Sequence, residues 1–108
     1  MGRKRRLSFT AFSVLYAMSN GHPYGFDIMD ATGLASGTVY PVLSRLERDG
    51  LVRSWWEDEA EAAGQGRPAR RYYEVTGEGA AALAQSVNLL AGIAGRRLID
   101  PGATGRTK

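Results

Sequence analysis

Apolar residues along this chain switch between two spacings, and the switches predict its elements. Leu7, Ala11, Val14, Leu15 and Met18 recur at the period of one helix face, which predicts a first helix from about Ser8 to Ser19. Phe9, Phe12 and Tyr16 add a second apolar stripe to that helix. A helix apolar on two faces is buried on two sides, and in so short a chain the second side points to a subunit partner. Asn20-Gly21 ends it with a glycine suited to a left-handed cap. His22-Pro23-Tyr24 opens a second helix through about Ala31, with Pro23 near a first turn that needs no N–H from it. After Gly33, the residues Val39, Val42, Leu43 and Leu46 form one face of a third helix that runs to about Asp49. Ser36 and Thr38 are both candidate N-caps. Pro41 lies in the first turn if Thr38 caps, and removes one helical hydrogen bond if Ser36 does.

Beyond Gly50 the pattern changes to that of strands. Leu51 to about Glu57 and Arg70 to Val75 are rich in aromatic and β-branched residues. The segment between, Ala60 to Ala69, carries Gly64, Gly66 and Pro68 and predicts a long, flexible hairpin tip bearing Arg67. Thr76 caps a last helix to about Leu98, where Leu83, Val87, Leu90, Ala94 and Leu98 share a face. Gly92 and Gly95, with Ala91 and Ala94, leave a low surface that another helix can approach closely.

The order is therefore α-α-α-β-β-α, a mainly α fold with a small β hairpin (α+β class). A short link between the second and third helices, followed by a hairpin, is the arrangement of a winged helix-turn-helix. The expected organisation is a basic arm over 1–6, the winged domain over 7–76, a dimerisation helix over 77–98 and a tail over 99–108. In such a fold the third helix enters the major groove.

Charge changes the picture by its distribution. The net charge is only +3, but arginines and lysines cluster at Arg3-Lys4-Arg5-Arg6, at Arg67, Arg70 and Arg71, and at Arg96-Arg97. Local clusters matter more than net charge when the partner is a polyanion. Acidic residues gather at Glu57, Asp58, Glu59 and Glu61. The chain has no cysteine, which excludes disulfides, zinc fingers and thiol catalysis and fits a reducing compartment. No stretch is apolar enough to span a membrane, and the basic start is not followed by a clean signal-peptide core, so the chain is read as cytoplasmic. His22 is the single histidine, with no partners at ligand spacing, so no metal is expected. No phosphate loop, nucleophile elbow or other cofactor motif is present, and an enzyme is the least expected class.

The candidate DNA contacts follow from the order of elements. Ser36, Gly37, Thr38 and Tyr40 open the third helix and are placed for base edges, although Ser36 or Thr38 can equally serve as a cap. Arg45 and Arg48 lie further along, at the height of phosphates. Arg67, with Pro68 and Arg70, is placed for a narrow minor groove, because an arginine between glycine and proline has little to hold it on its own fold. The arm Arg3, Lys4, Arg5 and Arg6 is a weaker candidate. Trp55 and Trp56 are adjacent in a strand and face opposite ways, so at most one enters the core. Packing is the expected role of both, with an effector pocket as the alternative.

These residues also carry a family resemblance. His22-Pro23-Tyr24-Gly25-Phe26-Asp27-Ile28, the run Ser36-Gly37-Thr38-Val39-Tyr40-Pro41-Val42-Leu43 with Arg45-Leu46-Glu47 and Gly50-Leu51-Val52, and Gly66-Arg67-Pro68 with Arg71-Tyr72-Tyr73-Glu74-Val75-Thr76-Gly77-Glu78-Gly79 resemble the signatures of PadR-like regulators. The match covers nearly all of residues 8–83. The resemblance implies a homodimer, usually a repressor on a pseudopalindromic operator in double-stranded DNA. It implies that the last helix packs on the partner subunit, often on its first helix. It also allows a small aromatic or drug-like effector. Residues 77–98 hold no aromatic residue, so the chain departs from small members that stack flat drugs between the two final helices. Two other classes remain open on sequence: a non-specific architectural nucleic-acid binder, and a winged-helix protein-interaction module favoured by the acidic run alone.

Overall fold

The computed structural model describes residues 7–97. The basic arm, Leu98 and the expected tail lie outside the described residues. The elements are α1 (Phe9–Ser19), α2 (Gly25–Thr32), α3 (Ser36–Arg48), β1 (Val52–Trp56), α4 (Glu59–Gly64), β2 (Arg71–Val75) and α5 (Gly77–Arg97). Val14, Leu15, Met18, Ile28, Val39, Leu43, Leu46, Val52 and Tyr73 make one core, so α1, α2, α3 and the hairpin share it. α1 and α3 each contribute an apolar stripe at the period that the sequence predicts.

Local chemistry sets the ends. Ser8 caps α1, its Oγ accepting from the Ala11 N–H at 3.0 Å. Gly33 ends α2 at φ 77°, and Thr32 Oγ1 donates to the Ile28 carbonyl at 2.7 Å while accepting from the Leu34 N–H at 3.2 Å. This closes the turn between α2 and α3 with no side chain in its way. Thr76 Oγ1 accepts from the Gly79 N–H at 3.0 Å and donates to the Gly50 carbonyl at 2.8 Å, which ties the start of α5 to the end of α3. Gly79 is required there, because a Cβ would meet the Leu51 carbonyl oxygen.

Four expectations need correction. The hairpin tip is not a loop throughout, since α4 interrupts it with Ala62 buried. Asp58 is its N-cap, accepting from the Ala60 N–H at 3.3 Å, and Glu59 and Glu61 occupy the first turn, where a helix dipole favours negative charge. Neither Ser36 nor Thr38 caps α3. Ala35 takes the cap position, so Pro41 sits inside the helix and leaves the Gly37 carbonyl without its helical donor. Pro23 precedes α2 instead of entering its first turn, because Tyr24 is the cap residue. Leu83 packs partly against the chain's own core and is not simply part of an outward stripe.

β1 and β2 pair antiparallel, with Val52 opposite Val75, Ser54 opposite Tyr73, and Trp56 opposite Arg71. The outer edge of β2 is also used. The Tyr73 N–H donates to the Pro23 carbonyl at 2.8 Å, and Tyr24 bridges to Tyr72. The segment before α2 thus joins the wing sheet and fixes where α2 begins relative to the wing.

Candidate nucleic-acid interface

α3 is buried on one side through Val39, Leu43 and Leu46 and open on the other. The open side carries Ser36, Gly37, Tyr40, Pro41, Ser44, Arg45 and Arg48, one continuous stripe at helical spacing. Thr38 is half-buried at its margin. Nothing lies near a Cβ built on Gly37, so the first turn is free to approach a partner closely. Among the described residues no ion pair ties down Arg45 or Arg48. Tyr40 is only partly available, because its ring lies against Gly25, where any Cβ would strike it. The glycine after Tyr24 and the tyrosine in α3 are therefore two halves of one contact between α2 and α3.

The wing stands at a fixed angle to this stripe. Glu47 of α3 accepts from Ser54 Oγ at 2.8 Å, and Ser54 Oγ accepts from Arg71 Nη2 at 2.9 Å. Arg71 Nη2 also approaches Glu47 at 3.6 Å. With the Pro23–Tyr73 bond, the wing is held to both helices of the helix-turn-helix.

Arg67 corrects the sequence reading most. It was expected to be unheld, but it is clamped by Glu57. Its Nη1 and Nη2 donate to the two Glu57 oxygens at 2.6 and 2.7 Å, a bidentate pair. The Glu57 side chain is only 7% exposed and that of Arg67 21%. Glu57 also accepts from the Arg70 backbone N–H at 3.1 Å. The Arg67 hydrogen bonds outweigh the cost of partial burial and hold the Glu57 carboxyl down at about 2, while the carboxylate holds the Arg67 guanidinium up. Pro68 is exposed beside this clamp. The Arg70 guanidinium lies over the Tyr24 ring, 4.4 Å from its centroid, and among the described residues has no carboxylate partner. Hydrogen bonds from Tyr72 and then Arg70 pull the Tyr24 phenol down.

Neither tryptophan enters the core, and of the two Trp55 is the one that packs on another ring. Trp55 stacks on Tyr72 at 5.8 Å on one face of the hairpin. Trp56, on the other, is 62% exposed beneath the Arg71 guanidinium, 5.5 Å away. Sequence reasoning also passed over Tyr24, Phe26, Glu57 and Arg71 as site residues. For Glu57 a signal existed, since Asp58 followed by Glu61 is the pattern of a capped helix start, which leaves Glu57 outside the helix and available.

Away from this interface, α1 and α5 present a contrasting face. Phe9 is 80% exposed, and Tyr16, Val87, Leu89, Leu90 and Ile93 are all exposed. Phe12 stacks on Tyr16 at 5.7 Å. Tyr16, Leu83 and Val87 line a shallow cleft between the two helices. Ala94 lies in α5, within the same helix.

Residues 14–85 match the model of the transcriptional regulator PadR-like family. The chain belongs to this family. PadR-like proteins are transcriptional regulators that bind DNA, and they are not enzymes. A PadR family transcription regulator from Clostridium difficile R20291 superposes with a TM-score of 0.67 at 23% identity, over 84% of this chain and 99% of that one. A PadR-like transcription factor from Bacteroides fragilis gives 0.66 at 24% identity, over 77% and 81%. BpsR from Bordetella bronchiseptica, whose DNA binding is regulated by 6-hydroxynicotinic acid, gives 0.67 at 24%, over 81% of this chain and 58% of BpsR. No curated protein sequence matches the chain. The fold of this chain is thus a winged helix-turn-helix, with the additional short helix α4 in the wing. Among its described residues no helix is long and apolar enough to cross a membrane, and no cluster of three or more His, Asp or Glu could hold a metal.

Proposed function

We propose that this PadR-like chain is a homodimeric, sequence-specific repressor that binds a pseudopalindromic operator and is released by a small effector. The observation that carries this reading is the open stripe of α3 beside a wing pinned to both α2 and α3. Ser36, Gly37, Thr38 and Tyr40 meet base edges, with Pro41 and Ser44 beside them. Arg45 and Arg48 meet phosphates. Pro68 and Arg70 carry the wing to the backbone. Arg67 reaches DNA only by leaving Glu57, so its first task is to hold the wing in place. The arm Arg3–Arg6 adds a diffuse electrostatic contact.

The exposed apolar residues of α1 and α5 support the dimer, because a water-facing patch of this kind is stable when a partner covers it. The residues assigned to that interface are Phe9, Phe12, Tyr16, Leu83, Val87, Leu90, Ala94 and Leu98. Release by an effector is supported by BpsR, a structural neighbour whose DNA binding responds to a small aromatic acid.

The experiment is selection of bound duplex from a random pool at fixed salt. Convergence on a two-fold symmetric site, with affinity falling steeply as salt rises, is the expected result. Enrichment of no sequence would overturn specificity and leave an architectural binder. Retention of no duplex at any salt would overturn DNA binding and leave a protein-interaction module.

A further inference from the structure

Pro41 leaves α3 with a carbonyl that its own helix does not satisfy. A helix carbonyl normally accepts from the N–H four residues on, and Pro41 has none to give. The carbonyl affected is that of Gly37, in the first turn. Among the described residues no loop N–H donates to it instead. Gly37 has no side chain to screen it, and nothing beyond its neighbours and its own helix backbone lies within 4 Å of a Cβ built there. Gly37 and Pro41 are both exposed, on the open stripe with Ser36, Tyr40 and Ser44. In water the missing bond costs little, because solvent supplies a donor. It becomes costly once a partner excludes water and offers no donor of its own.

The side chains of the stripe do not duplicate this acceptor. Arg45 and Arg48 only donate, and the hydroxyls of Ser36, Tyr40 and Ser44 serve either way. No Asp, Glu, Asn or Gln stands among them. The edges of base pairs are equally selective. In the major groove the donors are the N6 amine of adenine and the N4 amine of cytosine, whereas guanine and thymine present acceptor oxygens.

We propose that the Gly37 carbonyl, left open by Pro41, accepts a hydrogen bond from the exocyclic amine of one adenine or cytosine in each half-site and selects against guanine and thymine there. The discrimination works from both sides. The amine satisfies the carbonyl as water leaves, whereas a guanine or thymine oxygen would set one acceptor against another in a dry contact. A main-chain atom thus reads sequence, and a proline four residues away keeps it available. This rests on the sequence-specific reading above and names the feature of the base pair that the start of α3 recognises.

The test is a double-substitution cycle on the duplex that the parent chain selects. Adenine is replaced by purine and cytosine by 2-pyrimidinone, one symmetric pair of positions at a time, which deletes the amine. Each duplex is titrated at fixed salt with the parent and with Pro41→Ala, whose restored N–H occupies the carbonyl. At one position of the half-site the deletion is expected to weaken the parent by about tenfold or more, and Pro41→Ala by less than about twofold. Any weakening of the duplex itself falls on both chains and cancels in the cycle. Pro41→Ala is expected to bind the selected duplex about tenfold more weakly than the parent, and random duplex equally well, since phosphate contacts are untouched. Urea unfolding checks its fold, and the midpoint is expected to rise because a helical bond is regained at an exposed position. If both chains lose affinity alike at every position, the carbonyl contact is overturned and the regulator reading stands. A Pro41→Ala chain with altered preference at several positions, but coupled to no single amine, would also overturn the contact and assign Pro41 to the shape of α3. A parent chain that selects no sequence would overturn the regulator reading, and the contact with it.

Discussion

Two exposed faces of this molecule mean opposite things. The open stripe of α3 is exposed and polar, and water satisfies every group on it until a partner arrives. The face made by α1 and α5 is exposed and apolar, with Phe9, Tyr16, Leu89, Leu90 and Ile93 in solvent. Water gives those side chains no compensation, and about 25 cal/mol is recovered for each Å² that a partner covers. On the reading proposed above, the first face stays open at no cost and waits for an occasional ligand, and the second is covered by a permanent one. Exposure alone does not mark a functional surface; its chemistry says whether the partner is transient or constitutive.

The same substitution on each face separates them and produces the largest expected effects. Leu90→Glu introduces one charge per subunit into the proposed dimer interface. The dimer dissociation constant is expected to rise roughly 100-fold or more, read by sedimentation equilibrium. Ser44→Glu on the stripe of α3 is expected to leave the dimer intact and to weaken duplex binding by about tenfold through repulsion from phosphates. A dimer indifferent to Leu90→Glu, or broken by Ser44→Glu, would reverse the assignment of the two faces.

Beneath the polar stripe lies Leu43, fully buried in the shared core. Leu43→Ala is expected to cost about 2–5 kcal/mol, measured by urea unfolding. Arg45→Ala removes only the phosphate contact proposed for this residue. It is expected to lower affinity for selected and random duplex alike, leave the unfolding midpoint unchanged, and reduce the slope of log affinity against log salt by about 1. A change in sequence preference instead would place Arg45 on base edges.

α1 and α3 were legible because each buries a stripe at its own period. Gly33 and Gly50 stand where left-handed turns require them, and the Thr76 cap and both strands follow from local residue types. α4 was hidden because Asp58-Glu59-Ala60-Glu61 reads as a charge run until its position is known. Gly64, Gly66 and Pro68 then dominate the composition of the segment. The Arg67 clamp was hidden because its partner lies ten residues away, across the end of a hairpin. The groove lined by Tyr24, Phe26, Tyr40, Trp56 and Tyr73 has no spacing at all, since those rings converge only in three dimensions. Of the residues proposed to face DNA at the start of α3, Ser36, Gly37 and Tyr40 lie on an open surface and Thr38 at its margin. Sequence alone had no means of seeing that Gly25 takes up part of Tyr40.

The smallest expected effect concerns the clamp, which decides whether the wing is a rigid part of the polar face. Glu57 is held at about 2 in the folded chain, against an ordinary value of 4.5. A carboxyl depressed in this way contributes its stability above the ordinary value and loses it as pH falls towards the folded one. The window therefore runs from about pH 4.5 down to about pH 2. In urea unfolding, the midpoint of the parent is expected to exceed that of Glu57→Gln at neutral pH, with the gap closing across this window. Arg67→Ala leaves the largely buried Glu57 carboxylate unpaired and is expected to lower the neutral-pH midpoint further. Duplex affinity then distinguishes anchor from contact. If Arg67 chiefly holds the wing, Arg67→Ala and Glu57→Gln weaken duplex binding by a similar, less than about tenfold factor. If its guanidinium instead reads the minor groove, Glu57→Gln frees it and spares binding, while Arg67→Ala does not.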